Sequence, residues 1–273
     1  MELIANAPQV CVRHGRQFHG SDSSYALPND EREFNRLNNQ FQALKLITGS
    51  NYTAPLPQLN SGEGPKDILD IAAGSGIWVI ELALEFPQAR VVGIDLSKPG
   101  LFGRAVPQNA SFNVADIRGI VQLVELSPPV SRKGYRPPAL NEAEQAVARG
   151  GYMHKNKENP SLDGDGNPAS WSIADRIAPA LRAAPSMWTN VQEKRIGVPI
   201  GTWASDEVGQ EAGRIMQRQT VELFNGFRPN LIDVGGMSAD EVDGIIARLA
   251  DELEDGPKWE LEIPYEFIWA VKR

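Results

Sequence analysis

The sequence predicts an α/β fold built on an open, mostly parallel sheet. Three short apolar segments, at 68–72, 90–97 and 110–116, each end at an acid or at a glycine-rich turn. Strands of a parallel sheet end in this way at the edge where an α/β domain binds its ligand. Residues 259–272 alternate between apolar and other side chains, which predicts a long final strand. We therefore expect a ligand crevice at the carboxyl ends of the first three strands.

Composition and charge exclude several classes of function. The 273 residues carry a formal net charge of −8, which disfavours a surface that clamps the phosphate backbone of nucleic acid. The single cysteine excludes an internal disulfide, and the three histidines do not have the spacing of a zinc site. No apolar run approaches the ~20 residues of a membrane span. We expect a metal-free protein of the cytoplasm, with the nucleus as an alternative, that binds neither nucleic acid nor membrane.

The chain divides into three predicted regions. Residues 1–29 mix polar residues with Gly20 and the run Ser21-Asp22-Ser23-Ser24, a pattern that sustains neither a helix nor a strand and predicts a loosely held tail. Residues 30–60 begin with apolar side chains at helical spacing, after Asn29 or Asp30 as N-cap, and continue into a proline-containing linker. Residues 61–273 form the main α/β domain. Further helices are expected at 141–149 and 173–183.

The turn after the first predicted strand carries the strongest functional signal. Gly74 and Gly76 lie between an apolar strand and an apolar helix, and glycine lets the backbone approach a ligand closely. Asp95 follows 19 residues after Gly76, near the offset at which an acid binds ribose hydroxyls. Asp116 holds the matching place on the third strand, and Asp70 lies inside the first strand, where an unpaired acid is costly. This pattern predicts a nucleoside-containing cofactor.

Two cofactors compete for this site. A dinucleotide such as NAD requires the pattern G-x-G-x-x-G, whereas the third position after Gly76 is Val79. S-adenosylmethionine (SAM) has no pyrophosphate and does not need that third glycine. The turn therefore favours SAM.

The sequence also resembles a known family. The segments YALPND at 25–30 and LDIAAGSGIW at 69–78, together with VPIGTW at 198–203, are similar to the fungal LaeA-like methyltransferases of secondary metabolism. The resemblance implies a Rossmann-like class I methyltransferase sheet with an antiparallel C-terminal strand, and SAM as cofactor. It assigns the SAM site to the following residues: Asp70, Ala72, Gly74, Gly76, Asp95, Leu96 and Asp116. Ala72 replaces the first glycine of the family pattern.

One core element of that family is missing from the sequence. Only three residues separate Asp116 from the apolar segment 120–126, which resembles the family's fifth strand. A parallel crossover needs at least ~10 residues, so no sequence remains for a fourth strand. Segment 120–126 is expected either to pair antiparallel near the third strand or to leave the sheet incomplete.

Three functions follow as expectations. The resemblance implies a small-molecule O- or N-methyltransferase of fungal secondary metabolism. The missing strand, which in the family ends beside the reacting methyl group, favours instead a catalytically inactive methyltransferase-like accessory protein. A LaeA-like regulator is the third. Trp203 is the one candidate for contact with an aromatic substrate. The sequence predicts neither a catalytic base nor an oligomeric state.

Overall fold

The computed structural model describes residues 10–19, 27–95, 99–101, 103–112, 120–147 and 174–272. The strands are β1 (Val10–Arg13), β2 (Arg16–His19), β3 (Asp67–Ile71), β4 (Arg90–Ile94), β5 (Ala110–Ser111), β6 (Ile120–Leu126), β7 (Val130–Ser131), β8 (Trp188–Ile200) and β9 (Leu261–Lys272). The α-helices are α1 (Glu31–Thr48), α2 (Leu59–Gly62), α3 (Ile77–Glu85), α4 (Pro138–Val147), α5 (Ala174–Arg182), α6 (Glu207–Asp233), α7 (Ala239–Glu254) and α8 (Gly256–Trp259). A short 3₁₀ turn at Leu56–Gln58 precedes α2.

The predicted parallel sheet is present. Strands β3, β4 and β5 pair in parallel in that order, with Asp70 beside Gly93 and Val91 beside Ala110. Helix α3 packs its apolar side chains, among them Val79 and Leu82, into the core that covers β3 and β4. The α/β prediction and the order strand, glycine turn, helix, strand are confirmed.

A second sheet holds the remaining strands of the main domain. Strand β9 is central: β8 pairs with one edge over nearly its whole length, and β6 and β7 pair antiparallel with the other. The expected antiparallel C-terminal strand is therefore confirmed. Among the described strands, β9 pairs with β6, β7 and β8 and not with the parallel strands β3, β4 and β5. Segment 120–126 does pair antiparallel, with β9.

Helices α4, α6 and α7 cover this second sheet and form the larger core with β8 and β9. Close approach of α6 depends on Gly213, because a Cβ there would overlap the carbonyl oxygen of Gly201 at the turn after β8. The Gly201 N–H donates to the Gly213 carbonyl oxygen at 3.0 Å across the same contact. Gly201 and Gly213 therefore allow the turn and α6 to pack closely.

The N-terminal region differs from the expected tail over residues 10–19. Strands β1 and β2 form an antiparallel hairpin whose two-residue turn, His14–Gly15, has φ of 49° and 74°. Two left-handed residues suit the right-handed twist of a tight hairpin. Phe18 is 1% exposed, so the hairpin contributes an apolar side chain to the interior. Residues 1–9 and 20–26 lie outside the described part of the chain.

Helix α1 forms where helical periodicity predicts it, and its N-cap is Asp30, whose carboxylate accepts from the Glu33 N–H. Within the described residues, the predicted helices at 141–149 and 173–183 are observed as α4 and α5. Within the described residues no helix is long and apolar enough to cross a membrane, and no cluster of three metal-ligating side chains occurs.

Candidate functional site

The turn that joins β3 to α3 alternates between ordinary and left-handed backbone. Ala72, Gly74 and Gly76 have φ of 64°, 53° and 75°. The Gly76 N–H donates to the Ala73 carbonyl oxygen at 2.8 Å and closes the turn. Left-handed backbone costs roughly 1–2 kcal/mol for a residue with a Cβ, so Ala72 stands at the one position of the three that is strained.

Side chains from two other elements pack against both glycines. A Cβ on Gly76 would lie 2.8 Å from two ring carbons of Phe112, and a Cβ on Gly74 would lie 3.0 Å from Cδ1 of Leu37. The first contact comes from the residue after β5 and the second from α1. The glycines that were predicted for close approach to a ligand thus also allow two other elements to pack on the turn.

Asp95 follows β4 directly and binds the turn. Its Oδ2 accepts a hydrogen bond from the Gly74 N–H at 2.8 Å. The Ala73 N–H donates to the carbonyl oxygen of Ile94, at 2.9 Å, so the two chain segments are joined at consecutive residues. The structure therefore brings together the glycine turn and the acid that the sequence placed 19 residues beyond Gly76.

Asp70 lies one residue before the end of β3 and is half-buried. Burial, together with the negative charge of Asp95, raises the pKa of Asp70 to about 7. Among the described residues its carboxyl group has no hydrogen-bond partner. The Gly74 N–H of the turn donates to Asp95 and not to Asp70. Asp70 is thus a carboxyl group that an arriving cation would stabilise in its charged form.

His19, at the end of the N-terminal hairpin, is a further member of this region that sequence reasoning missed. Burial lowers the pKa of His19, and the negative charge of Asp95 opposes that effect. The available signal was the alternating pattern around His14–Gly15, which is typical of a tight hairpin. That pattern indicates the hairpin but does not show that its end lies near Asp95.

The remaining predicted residues fall into two groups. Leu96 and Asp116 lie outside the described residues. Trp203 is half-buried at the end of β8, where its indole N–H donates to the Leu261 carbonyl oxygen at 2.7 Å and the Arg132 guanidinium covers its ring at 4.7 Å. These contacts belong to the antiparallel sheet, so the structure does not bring Trp203 to the glycine turn.

The chain is similar in sequence to known fungal proteins. Methyltransferase pytC of Aspergillus terreus is 28% identical over 278 residues, which cover 88% of this chain and 81% of pytC. The secondary metabolism regulator laeA of Aspergillus fumigatus is 35% identical over 85 residues, 31% of this chain and 22% of the regulator. The protein-methionine methyltransferase laeA of Emericella nidulans is 35% identical over 90 residues, 33% of this chain and 23% of that protein. No family model matches the sequence.

Solved structures overlap more loosely. Phosphoethanolamine N-methyltransferase 2 of Haemonchus contortus, with S-adenosylhomocysteine bound, has a TM-score of 0.38 and 13% identity, covering 94% of this chain and 62% of its own. YjhP of Escherichia coli has a TM-score of 0.37 and 15% identity, covering 85% of this chain and 96% of its own. These TM-scores are too low to support an assignment, so any assignment depends on the relatives found by sequence. In sequence, the chain is therefore similar to methyltransferase pytC over most of its length and to the laeA proteins over about a third of its length.

Proposed function

We propose that this protein is a SAM-dependent methyltransferase that methylates an oxygen or nitrogen atom of a small molecule in fungal secondary metabolism. The observation that carries the proposal is the junction of β3 and β4. There, Asp95 holds the glycine turn through the Gly74 N–H and Asp70 has no hydrogen-bond partner among the described residues. The similarity to pytC over 88% of the chain supports methyl transfer as the reaction.

The chemistry of these side chains fits SAM. The Asp95 carboxylate lies at the end of β4 and accepts hydrogen bonds, which suits ribose hydroxyl groups. Asp70, with its pKa raised to about 7, gains a favourable partner when the cationic end of SAM arrives. The side chain of Ile71 is 50% exposed at the same edge of the sheet, where it offers apolar surface to the adenosine. When bound, SAM supplies the electrophilic methyl group, and the residues of the chain bind and orient it.

Calorimetric titration of the purified protein with SAM and with S-adenosylhomocysteine tests the proposal. A dissociation constant near micromolar, about −8 kcal/mol, is expected for both ligands. Asp70→Asn is expected to weaken SAM binding at least about tenfold, since it removes a charge partner of the ligand. Asp67→Asn is the matched control, because Asp67 lies on the same strand but forms an ion pair with Arg90 at the surface.

If the folded protein gives no heat of binding with either ligand, the proposal is contradicted. Loss of SAM binding in Asp67→Asn as well as in Asp70→Asn would show that the effect of Asp70 is not specific to the site. Methyl transfer itself is then assayed with labelled SAM against candidate phenols and amines from fungal extracts.

A catalytically inactive accessory protein remains the second candidate, and the strand order favours it. Among the described strands, the parallel sheet consists of β3, β4 and β5, and the next strand, β6, pairs with β9 in the other sheet. Micromolar binding of SAM without transfer to any pathway intermediate would support this candidate. A regulatory role is the third, on the likeness to the laeA regulators. Cytoplasmic as opposed to nuclear location is tested by imaging a tagged chain.

A further inference from the structure

Helices α1, α6 and α7 border an open cleft of about 540 Å³, a size typical of sites for small molecules. One face of α6 lines this helix cleft from Ile215 to Glu222, and Asn39 of α1 with Ala250 and Glu254 of α7 complete its border. Among the described residues that line it, none belongs to β3, β4 or the glycine turn. The helix cleft is therefore separate from the proposed SAM site.

Gln219 places an unsatisfied hydrogen-bond acceptor in the wall of the helix cleft. The residue is 7% exposed, and its side-chain oxygen Oε1 is buried without a hydrogen-bond partner among the described residues. A buried amide oxygen without a partner destabilises a fold, because it has given up its hydrogen bonds to water. A ligand that brings an N–H or O–H donor into the cleft supplies the missing partner.

The rim of the helix cleft carries one positive and one negative side chain, Arg218 and Glu254, and both are exposed. Arg218 donates through its Nε to the Arg214 carbonyl oxygen at 3.3 Å, and its terminal nitrogens carry the remaining donors. Neither charge forms an ion pair with any residue that the structure describes. Glu222, in contrast, is paired with Arg32 of α1 at 2.6 Å. The cleft therefore offers a ligand one cation, one anion and one buried amide oxygen.

This combination of groups is complementary to a small zwitterion. A guanidinium group binds a carboxylate through paired N–H donors, whereas a carboxylate and an amide oxygen both accept from an ammonium group. We propose that the helix cleft binds a free amino acid or a compound with the same ammonium and carboxylate groups. Arg218 receives the carboxylate of the ligand, and Glu254 and Gln219 receive its ammonium group. Binding here does not depend on the proposed function, because the two sites share no described residue.

A thermal-shift screen of the purified chain against the free amino acids, followed by calorimetric titration of those that raise the melting temperature, tests this site. Arg218→Gln and Glu254→Gln are each expected to weaken binding about tenfold or more, since each removes a charge-assisted hydrogen bond. Arg214→Gln is the matched control and should bind like the parent protein. Arg214 lies one turn earlier on α6, pairs with Glu211 at 3.1 Å and does not line the cleft.

Two analogues of the amino acid that binds best identify which end of the ligand each charge contacts. The amine that lacks the carboxyl group should bind the parent protein and Arg218→Gln within about twofold of each other. The carboxylic acid that lacks the amino group should bind the parent protein and Glu254→Gln equally well. If both analogues bind the parent protein as tightly as the amino acid does, the cleft does not recognise a zwitterion and the inference is wrong.

Gln219 supplies a readout that a purely structural residue would not give. Gln219→Met keeps the length of the side chain and removes the unpaired oxygen. It should raise the melting temperature of the ligand-free protein by about 2–4 °C and weaken amino-acid binding about 5- to 20-fold. Gln210→Met is the contrasting variant, because the Gln210 amide donates to the Ala204 carbonyl oxygen at 3.0 Å. It should lower the melting temperature and leave binding unchanged.

The outcomes distinguish this site from the proposed SAM site. No response to any amino acid, or parent-like binding by Arg218→Gln, Glu254→Gln and Gln219→Met, would overturn the inference and leave the proposed function intact. Loss of amino-acid binding in Asp70→Asn but not in Arg218→Gln would also overturn it, because the ligand then lies at the glycine turn. Titration of the parent protein with S-adenosylhomocysteine tests the proposed function alone, and its failure would leave an amino-acid response at the helix cleft unaffected.

Discussion

Asp70 makes the stability of the protein depend on pH. Its pKa is about 7 in the folded chain, against 3.8 for a free side chain, so the folded state holds the proton more tightly. The resulting stabilisation is complete below about pH 4 and is lost as the pH rises to 7, at up to about 1.4 kcal/mol per pH unit. Above pH 7 the ionised carboxylate destabilises the fold unless a cation binds it.

We therefore predict that Asp70→Asn raises the free energy of unfolding at pH 8 by about 2–4 kcal/mol, because the amide cannot ionise. At pH 4 the same substitution should have little effect. Urea unfolding at both pH values measures the difference, and subtracting the parent protein removes the contribution of other acids such as Asp30. An equal effect at both pH values would contradict the raised pKa.

The turn itself contains a second testable residue. Ala72 has a φ of 64°, which an alanine adopts at a cost and a glycine does not. Ala72→Gly should raise the free energy of unfolding by about 0.5–1 kcal/mol, despite the greater freedom of glycine in the unfolded chain. Ala110→Gly, in β5 with ordinary strand backbone, is the contrasting variant and should destabilise the protein. Thermal unfolding of both variants measures the effects, and destabilisation by Ala72→Gly would show that the position is not strained.

At the scale of elements, Asp30 joins the hairpin to α1. Its carboxylate caps the helix by accepting from the Glu33 N–H and also pairs with Arg16. Burial alone would raise the pKa of Asp30, but the hydrogen bonds from Arg16 and from the Glu33 N–H lower it. The stabilisation from this carboxylate is therefore present at neutral pH and is lost as the pH falls through its folded pKa.

Asp30→Ala should cost about 2–3 kcal/mol at pH 7, since it removes a cap and leaves a half-buried arginine without its partner. Asp206→Ala is the control: Asp206 caps α6 through the Gly209 N–H, and its loss should cost about 1 kcal/mol. Chemical denaturation measures both values. Equal losses would mean that the ion pair with Arg16 contributes nothing to stability.

A search for apolar periodicity does not detect strand β8. Its middle is charged, with Glu193, Lys194 and Arg195 in succession and exposed. Pairing with β9 places Arg195 opposite Glu266, and the two side chains form an ion pair at 3.3 Å. A cross-strand charge pair stabilises a strand without any alternation of apolar residues. Only the partner strand reveals why this segment is extended.

On the scale of the whole molecule, Trp269 connects the two cores. It is half-buried on β9 and packs against both the core of the parallel sheet and the larger core beneath α6 and α7. Phe267, two residues earlier, belongs to the larger core alone. Contact between the two cores therefore depends more on the side chain of Trp269 than on that of Phe267.

We predict that Trp269→Ala lowers the free energy of unfolding by about 2–4 kcal/mol and speeds hydrogen exchange in both sheets. Phe267→Ala should cost about 3–5 kcal/mol, with faster exchange concentrated in β8 and β9. Hydrogen exchange followed by mass spectrometry distinguishes the two patterns. Unchanged exchange in β4 of Trp269→Ala would show that the tryptophan does not link the sheets.

The sequence by itself determined the elements whose formation depends on neighbouring residues. Helix α1, the succession of β3, turn, α3 and β4, and the length of β9 follow from periodicity and turn chemistry within short segments. The glycine turn and Asp95 were identified together because their spacing along the chain reflects one strand-helix-strand unit. The family likeness was carried by the same residues.

The tertiary structure decided everything that depends on pairing between distant segments. It placed β6 and β8 on either side of β9, directed Trp203 to Leu261 and Arg132, and brought the hairpin to the N-terminus of α1. It also showed that Asp95, not Asp70, accepts from the turn, which leaves Asp70 with a raised pKa. Local patterns cannot specify such partners, because the free energy that selects them comes from burial and electrostatics between segments far apart in the chain.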